Sequence, residues 1–317
     1  MQTTMKAFVP SQAAEARTEL AEVDVPVPEP GQALIEVEAY SVNRGETFLL
    51  EHPRPAWRPG QDVAGRIVQA AADGSGPGVG SRVVAHAEAG GWAPLVAVST
   101  DAVASLPDEL GAVTAATLPL AGLTGLRLIR ESGPLVGRRL LVTGASGGVG
   151  HIVTELAVGA GAEVVAVAGS AQRGQRLREF GALVISSLDE VDGSFDVILE
   201  SVGGDVLAQA ITRLAPRGLL LWFGQAGRQP ATLDFFRAAG GAPNGRIGLF
   251  VYFHGAPAAG EDLATLVRLV VTGRLHPEVG RVDDWRQTQD ALLAVRDRRV
   301  RGNAVLVVPP EDRVRAG

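Results

Sequence analysis

Leu140-Leu141-Val142-Thr143-Gly144-Ala145-Ser146-Gly147-Gly148-Val149-Gly150 is the stretch on which the fold turns. An apolar strand runs into a glycine-rich turn, a helical run follows, and a second apolar strand spans Glu163 to Ala168. Glycine after a strand permits a tight turn, and a helix start without side chains lets backbone N–H groups approach a pyrophosphate. The helix dipole adds partial positive charge there. A merely structural glycine turn would explain the motif in isolation, but the strand before it, the helix after it and the strand at Glu163 favour a dinucleotide site.

The end of that second strand bears on which dinucleotide. Enzymes that use NAD place Asp or Glu there, on the ribose hydroxyls. This chain reads Val167-Ala168-Gly169-Ser170-Ala171-Gln172-Arg173, with no carboxylate. Small residues leave room for a 2′-phosphate, Ser170 can donate to it, and Arg173 offers a forked cation at the start of the following helix. A solvated arginine is the alternative. Joined to the missing acid, Arg173 favours NADP(H).

Outward from the turn, apolar strand, turn and amphipathic helix alternate over Leu140–Thr143, Glu163–Ala168, Leu183–Ile185, Val197–Glu200, Leu219–Phe223 and Gly248–Phe253, the pattern of a parallel sheet covered on both faces. The first hundred residues differ: short β-segments at Met5–Val9, Ala33–Val42, Val63–Ala70, Arg82–Ala87 and Leu95–Val98 are separated by Pro and Gly, with no alternating helices. After about residue 255 come two helical patterns, Asp262–Thr272 and Asp283–Arg296, and a strand-like Asn303–Val308. That tail is short for an independent domain and is expected to fold back onto the first block.

Composition excludes several chemistries. In 317 residues with a net charge of -6 there is no basic run, which argues against a nucleic-acid partner. Lys6 is the only lysine, and His151 follows Gly150 where a phosphate loop of the nucleotidase type needs Lys. There is no cysteine for a disulfide, a thiolate nucleophile or a thiolate metal ligand. His52, His86, His151, His254 and His276 are scattered without ligand spacing, so no metal is expected. No apolar stretch approaches the length of a membrane span, no signal peptide is evident, and the cytoplasm is the default compartment.

Beyond the glycine turn, Met5-Lys6-Ala7, Val27-Pro28-Glu29-Pro30-Gly31, Val42-Asn43, Pro59-Gly60-Gln61-Asp62-Val63-Ala64-Gly65, Leu118-Pro119-Leu120-Ala121-Gly122-Leu123-Thr124, Glu200-Ser201-Val202-Gly203-Gly204 and Arg301-Gly302-Asn303 occur in order. In these segments the chain resembles the zinc-free quinone oxidoreductase branch of the medium-chain dehydrogenase/reductase superfamily, which includes zeta-crystallin. The resemblance implies an α/β protein: a mostly-β, GroES-like catalytic domain over residues 1–116 and 255–317, and a doubly wound Rossmann domain over 117–254. It implies NADPH-dependent reduction of a quinone or enone, commonly by a homodimer in which the Gly248–Phe253 strand pairs with its mate. An apolar edge strand is a plausible association site on physical grounds as well.

The resemblance also places Asn43 and Thr124 by the nicotinamide and substrate. Ser146, Gly147, Gly148 and Val149 fall on the pyrophosphate, Ser170 and Arg173 on the adenosine phosphate. Val202, Phe223, Gly224, Gln225, Val251, Tyr252 and Asn303 complete the cofactor set. Gly60-Gln61-Asp62 stands where zinc-using relatives carry Gly-His-Glu. Relatives often have Asp and then Tyr shortly after the Asn, and this chain has Glu46 and Phe48. Phe48 cannot donate a proton. Glu46 could act as a general acid if burial raised its pKa, or could be a structural carboxylate bonded to backbone.

Three readings of function remain open: a quinone or enone reductase, an NADPH-binding sensor or structural protein with little turnover, and an enone reductase dedicated to one natural product. A short-chain dehydrogenase is excluded, since neither Tyr40 nor Tyr252 is followed by Lys four residues on.

Overall fold

The computed structural model describes residues 4–253 and 258–313. His254 and the expected 254/255 boundary therefore lie outside the described residues. Along the chain come β1 (Thr4–Pro10), β2 (Thr18–Asp24), β3 (Gln32–Val42), α1 (Arg44–Leu49), β4 (Asp62–Gln69), β5 (Arg82–His86), β6 (Leu95–Ser99), β7 (Val103–Ser105) and α2 (Ala112–Ala115). The central stretch carries α3 (Leu123–Glu131), β8 (Arg139–Val142), α4 (Gly148–Gly159), β9 (Glu163–Val167), α5 (Gln175–Glu179), β10 (Leu183–Ile185), β11 (Phe195–Glu200), α6 (Gly204–Thr212), β12 (Leu214–Trp222), α7 (Phe235–Gly241) and β13 (Arg246–Leu249). Then follow α8 (Ala259–Val271), β14 (Val279–Asp284), α9 (Thr288–Arg296) and β15 (Asn303–Val307).

One unit combines the chain up to Leu123 with the segment ending at Gly273 and that beginning at Pro277. Its main sheet runs β14-β15-β3-β4-β5-β7, with β6 also on β3, and β1 and β2 form a separate antiparallel pair. β15 enters the N-terminal sheet by pairing antiparallel with β3, Ala304 opposite Val42. Alternating residues of β3, β4 and β5 fill a core around Ile35, Val37, Tyr40, Val63, Val83 and Trp92. Tyr40 stacks on Trp92 at 6.2 Å between ring centroids.

The other unit begins at Thr124 and includes 274–276. Its sheet runs β10-β9-β8-β11-β12-β13, and every pairing is parallel. In order of occurrence this is 3-2-1-4-5-6, the doubly wound Rossmann arrangement. Both faces are covered, by one core that includes Leu140, Val142, Val153 and Leu199 and a second that includes Leu141, Ile198, Leu207 and Leu220. That explains strands apolar on both sides.

Several elements depart from the sequence reading. The last strand of this sheet is Arg246–Leu249 rather than Gly248–Phe253: its register opposite Leu219–Trp222 uses those four residues, Phe250 adds one hydrogen bond to Trp222, and the chain then turns. β12 begins at Leu214, beyond a bulge opposite β11. Asp283–Arg296 is not one helix, because Val279–Asp284 pairs parallel with β15 and the helix starts at Thr288. The N-terminal block is not wholly β, since Asn43 caps the six-residue α1.

Candidate active site

β8 and β11 are neighbours whose connections leave in opposite directions, so their carboxyl ends form the switch point where doubly wound sheets bind ligands. The glycine turn closes β8 at this point. Gly144 adopts φ +60°, and a Cβ there would meet Ser201 Oγ at 2.5 Å. A Cβ at Gly150 would fall on the Ala145 carbonyl, so only glycine lets α4 start this close to the turn. Gly147, the residue before α4, is different: a Cβ would meet only Gly144 O, at 3.5 Å, which leaves that face of the helix start open. Gly148 and Val149 thus open the 12-residue helix with backbone N–H groups that the helix itself cannot satisfy, while the Gly147 N–H donates to Gly144 O at 3.1 Å within the turn.

Arg173 sits in the turn ahead of α5 rather than within its first turn, since Gly174 is the helix cap. Its Nε donates to Ser146 Oγ at 3.1 Å, bringing together two site residues 27 positions apart. Its backbone N–H donates to Ser170 Oγ at 3.3 Å. A guanidinium held over the glycine turn, beside a strand end that carries Ala168, Gly169 and Ser170 in place of an acid, forms a cationic cradle suited to a phosphate ester.

Across the switch point, Glu200 is fully buried and accepts from Thr143 Oγ1 at 3.0 Å and from the amides of Val202 and Gly203. Burial raises its pKa. Ser201 Oγ returns a hydrogen bond to Thr143 O at 3.1 Å, so the ends of β8 and β11 are locked together. Phe223 extends β12 by donating to Glu200 O, and Gly224 packs on Ser201, where a Cβ would meet its carbonyl at 3.1 Å. Gln225 spans to Gln229 O at 2.9 Å. Val251 is exposed, and Tyr252 O accepts from Arg127 at 2.6 Å. Thr124 opens the same unit, buried at the start of α3.

Asn43, Glu46 and Asn303 belong to the N-terminal unit. Asn43 Nδ2 donates to Asp62 Oδ2 at 2.6 Å, and Ser41 Oγ donates to the same oxygen at 2.5 Å. Asp62 Oδ1 accepts the Leu120 amide at 2.8 Å, and His86 Nδ1 lies 3.7 Å away. The β3–β4 register, Tyr40 opposite Val63, brings Asp62 beside Ser41. Sequence reasoning quoted Asp62 only as a replacement within a motif. The signal was there: a carboxylate next to the fully apolar Val63-Ala64 must find buried partners.

Glu46 is 0% exposed, and its two oxygens accept from the Asn43 and Gly60 amides, both at 2.9 Å. Burial pushes its carboxyl up to about 8, against the backbone hydrogen bonds and with the help of Asp62. Of the two roles open to it, these contacts favour a brace between α1 and the start of β4. Asn303 Nδ2 donates to Glu278 O at 3.0 Å. Tyr40 is buried with its hydroxyl on Thr288 Oγ1 at 2.6 Å, and its pKa is driven up by desolvation, so this phenol is a core group. No group of three His, Cys, Asp or Glu among the described residues could hold a metal ion.

Comparison with known proteins agrees with this geometry. Residues 29–108 match the alcohol dehydrogenase GroES-like domain, and residues 164–306 match a family described as zinc-binding dehydrogenase. The chain is 30% identical over 226 residues to the quinone oxidoreductase of Mus musculus, covering 65% of this chain and 68% of that one. It is 31% identical over 293 residues, 89% of its length, to the polyketide synthase GfsB of Streptomyces halstedii, of which it spans only 5%. The Escherichia coli quinone oxidoreductase complexed with NADPH shares the fold, with a TM-score of 0.84 at 21% identity over 96% of this chain and 99% of that one. A GroES-like module joined to a 3-2-1-4-5-6 Rossmann sheet, in a chain without cysteine, is therefore a member of the zinc-free quinone oxidoreductase branch of the medium-chain dehydrogenase/reductase superfamily.

Proposed function

We propose that this chain is an NADPH-dependent reductase of a quinone or an α,β-unsaturated carbonyl compound. The observation that carries the reading is the Arg173 guanidinium hydrogen-bonded to Ser146 above the glycine turn, beside a strand end with no carboxylate. That pair suits the 2′-phosphate of NADP(H), and the strand end offers no carboxylate to accept from bare ribose hydroxyls. We assign residues 117–254 to cofactor binding and 1–116 with 255–317 to the catalytic domain.

Bound at the turn, NADP(H) supplies a hydride to an electrophilic carbon. The chain's part is to hold and to polarise. The amides of Gly148 and Val149 would hold the pyrophosphate, with Ser146 and the side-chain-free Gly147 beside it, and Ser170 and Arg173 would hold the adenosine phosphate. Val202, Phe223, Gly224, Gln225, Val251, Tyr252 and Asn303 complete the cofactor set, with Asn43 and Thr124 toward the reacting groups. Asn43 owes its orientation to Asp62, which makes Asp62 a positioning residue. Charge developing on the acceptor oxygen is met by hydrogen-bond donors, with no metal needed. Glu46, sealed and doubly bonded to backbone, braces this loop rather than delivering a proton; solvent can protonate the product.

A homodimer fits the same reading. β13 is the edge strand of its sheet and exposes Ile247 and Leu249, near the exposed Phe235 and Phe236 in sequence. No described helix is long and apolar enough to cross a membrane, and the cytoplasm is the compartment this reading implies.

Similarity to a polyketide synthase over 89% of the chain favours a second reading within the same chemistry, reduction of one natural-product enone. Steady-state oxidation of NADPH with a panel of quinones and enones tests both. Turnover of simple quinones supports the broad reductase, and turnover confined to polyketide-like enones supports the dedicated one. Saturable NADPH binding with no acceptor reduced would replace both with a sensor.

A further inference from the structure

In the turn between β9 and α5, two successive carbonyls are held in a defined direction. Ser170 O accepts from the Gly174 amide at 3.1 Å, and Ala171 O accepts from Arg178 Nη1 at 2.9 Å, seven residues further on. The peptides are trans, and a trans peptide sets its N–H opposite its C=O. Two carbonyls drawn toward α5 therefore leave the Ala171 and Gln172 amides pointing back toward the end of β9. Neither amide donates a hydrogen bond within the described residues. Ser170 Oγ accepts from the Arg173 N–H at 3.3 Å and so keeps its own proton to donate. The turn is also pressed against β10, since a Cβ at Gly174 would meet Val184 Cγ1 at 2.4 Å.

Three arginines occur between positions 173 and 178, and their surroundings differ. Arg173 reaches Ser146 over the glycine turn. Arg176 donates to Glu179 Oε2 at 2.8 Å and lies 5.0 Å over the Phe180 ring, so its charge is already matched. Arg178 is exposed, and its Nη1 holds the Ala171 carbonyl. Without that bond the peptide between Ala171 and Gln172 could flip, aiming a carbonyl oxygen at a bound phosphate and turning an amide away from it. We propose that Arg178 is a positioning residue for cofactor choice: by holding the Ala171 carbonyl it keeps the Gln172 amide turned toward a phosphate ester on Ser170 and Arg173, and so strengthens selection of the 2′-phosphorylated dinucleotide. The inference rests on the NADP(H) reading and adds to it a residue that acts through the backbone rather than on the ligand.

The test is calorimetric titration of the full chain with adenosine 2′,5′-bisphosphate and with 5′-AMP, which differ only in the 2′-phosphate and need no acceptor substrate. The wild-type protein is expected to bind the bisphosphate at least about tenfold tighter. Arg178→Ala should lower that ratio about fivefold while leaving 5′-AMP affinity within about twofold. Arg178→Lys, which keeps a donor for the carbonyl, should restore the ratio to within about twofold of wild type. Arg176→Ala should leave it unchanged. Because the effect runs through peptide orientation, the fivefold factor should persist in about 0.5 M NaCl, where attraction between exposed charges is screened. A ratio unaltered by Arg178→Ala, a factor that vanishes at high salt, a lysine variant no better than alanine, an equal loss in Arg176→Ala, or a parallel loss of 5′-AMP would each overturn the proposal. No preference for the bisphosphate in the wild-type protein would overturn the NADP(H) reading and this inference together, whereas a wild-type preference that Arg178→Ala leaves intact overturns this inference alone.

Discussion

Removing the Arg173 guanidinium is the sharpest perturbation of the cofactor site. Its Nε bond to Ser146 holds the fork over the turn before any ligand arrives, so little side-chain entropy remains to be lost on binding. A charge-assisted hydrogen bond to a phosphate contributes roughly 1.5–3 kcal/mol. Arg173 is half-buried, so solvent screening trims that figure, and about 2 kcal/mol is a reasonable net value. At about 1.4 kcal/mol per tenfold, Arg173→Ala should weaken NADPH about 30-fold while changing NADH less than about threefold. Calorimetric titration of both nucleotides, at low and at physiological salt, measures this directly. The wild-type preference for NADPH should shrink as salt rises, and the variant should show little salt dependence. Equal losses for NADPH and NADH would place the phosphate elsewhere and refute the reasoning.

Asp62→Asn replaces the acceptor of Ser41, Asn43 and the Leu120 amide with a group that must turn a donor toward some of them; a stability loss of about 2–4 kcal/mol in denaturant melts is expected, with kcat reduced more than KM in variants that remain folded. A fall in stability with unchanged kcat would leave Asp62 a purely structural group. The Glu46 carboxyl, raised to about 8 from 4.5, keeps its proton in the folded protein at pH values where the unfolded chain has lost it. Its contribution is thus fullest below pH 4.5 and is lost as pH rises toward 8, by at most about 1.4 kcal/mol per pH unit. Glu46→Gln should flatten that decline, and parallel pH–stability curves for the two proteins would show that another group is responsible. Gly150→Ala drives a Cβ into the Ala145 carbonyl and should cost about 2 kcal/mol or more, together with most of the NADPH affinity; a variant as stable and as tight-binding as the parent would mean α4 does not need its close approach.

Much of the fold was legible because local chemistry encodes it. Five strands of the first block and most of those around the glycine turn fall within a residue or two of their expected ends, where apolar period and turn residues agree. Failures came where long-range pairing decides. Gly248-Leu249-Phe250-Val251-Tyr252-Phe253 is apolar throughout, yet β13 ends at Leu249, where its partner β12 ends at Trp222. Thr18–Asp24 carries three acids in seven residues and is a strand because β1 pairs with it along its whole length. Asp283 and Asp284 read as a helix start and instead close β14 against β15.

The candidate site divides in the same way. The glycine turn, the absent carboxylate after β9 and the absence of cysteine are properties of the linear chain, since backbone sterics and side-chain inventory act over a few residues or none. Tertiary structure alone decided that Arg173 reaches Ser146, that Asp62 holds Asn43, that the Tyr40 hydroxyl is spent on Thr288, and that Glu46 has both oxygens on backbone amides. It decided as well that Arg58 Nη1 is buried without a hydrogen-bond partner. Each of these rests on which strands and loops come side by side, and burial turns that adjacency into a requirement, because a polar group removed from water must find a partner wherever the packing places one.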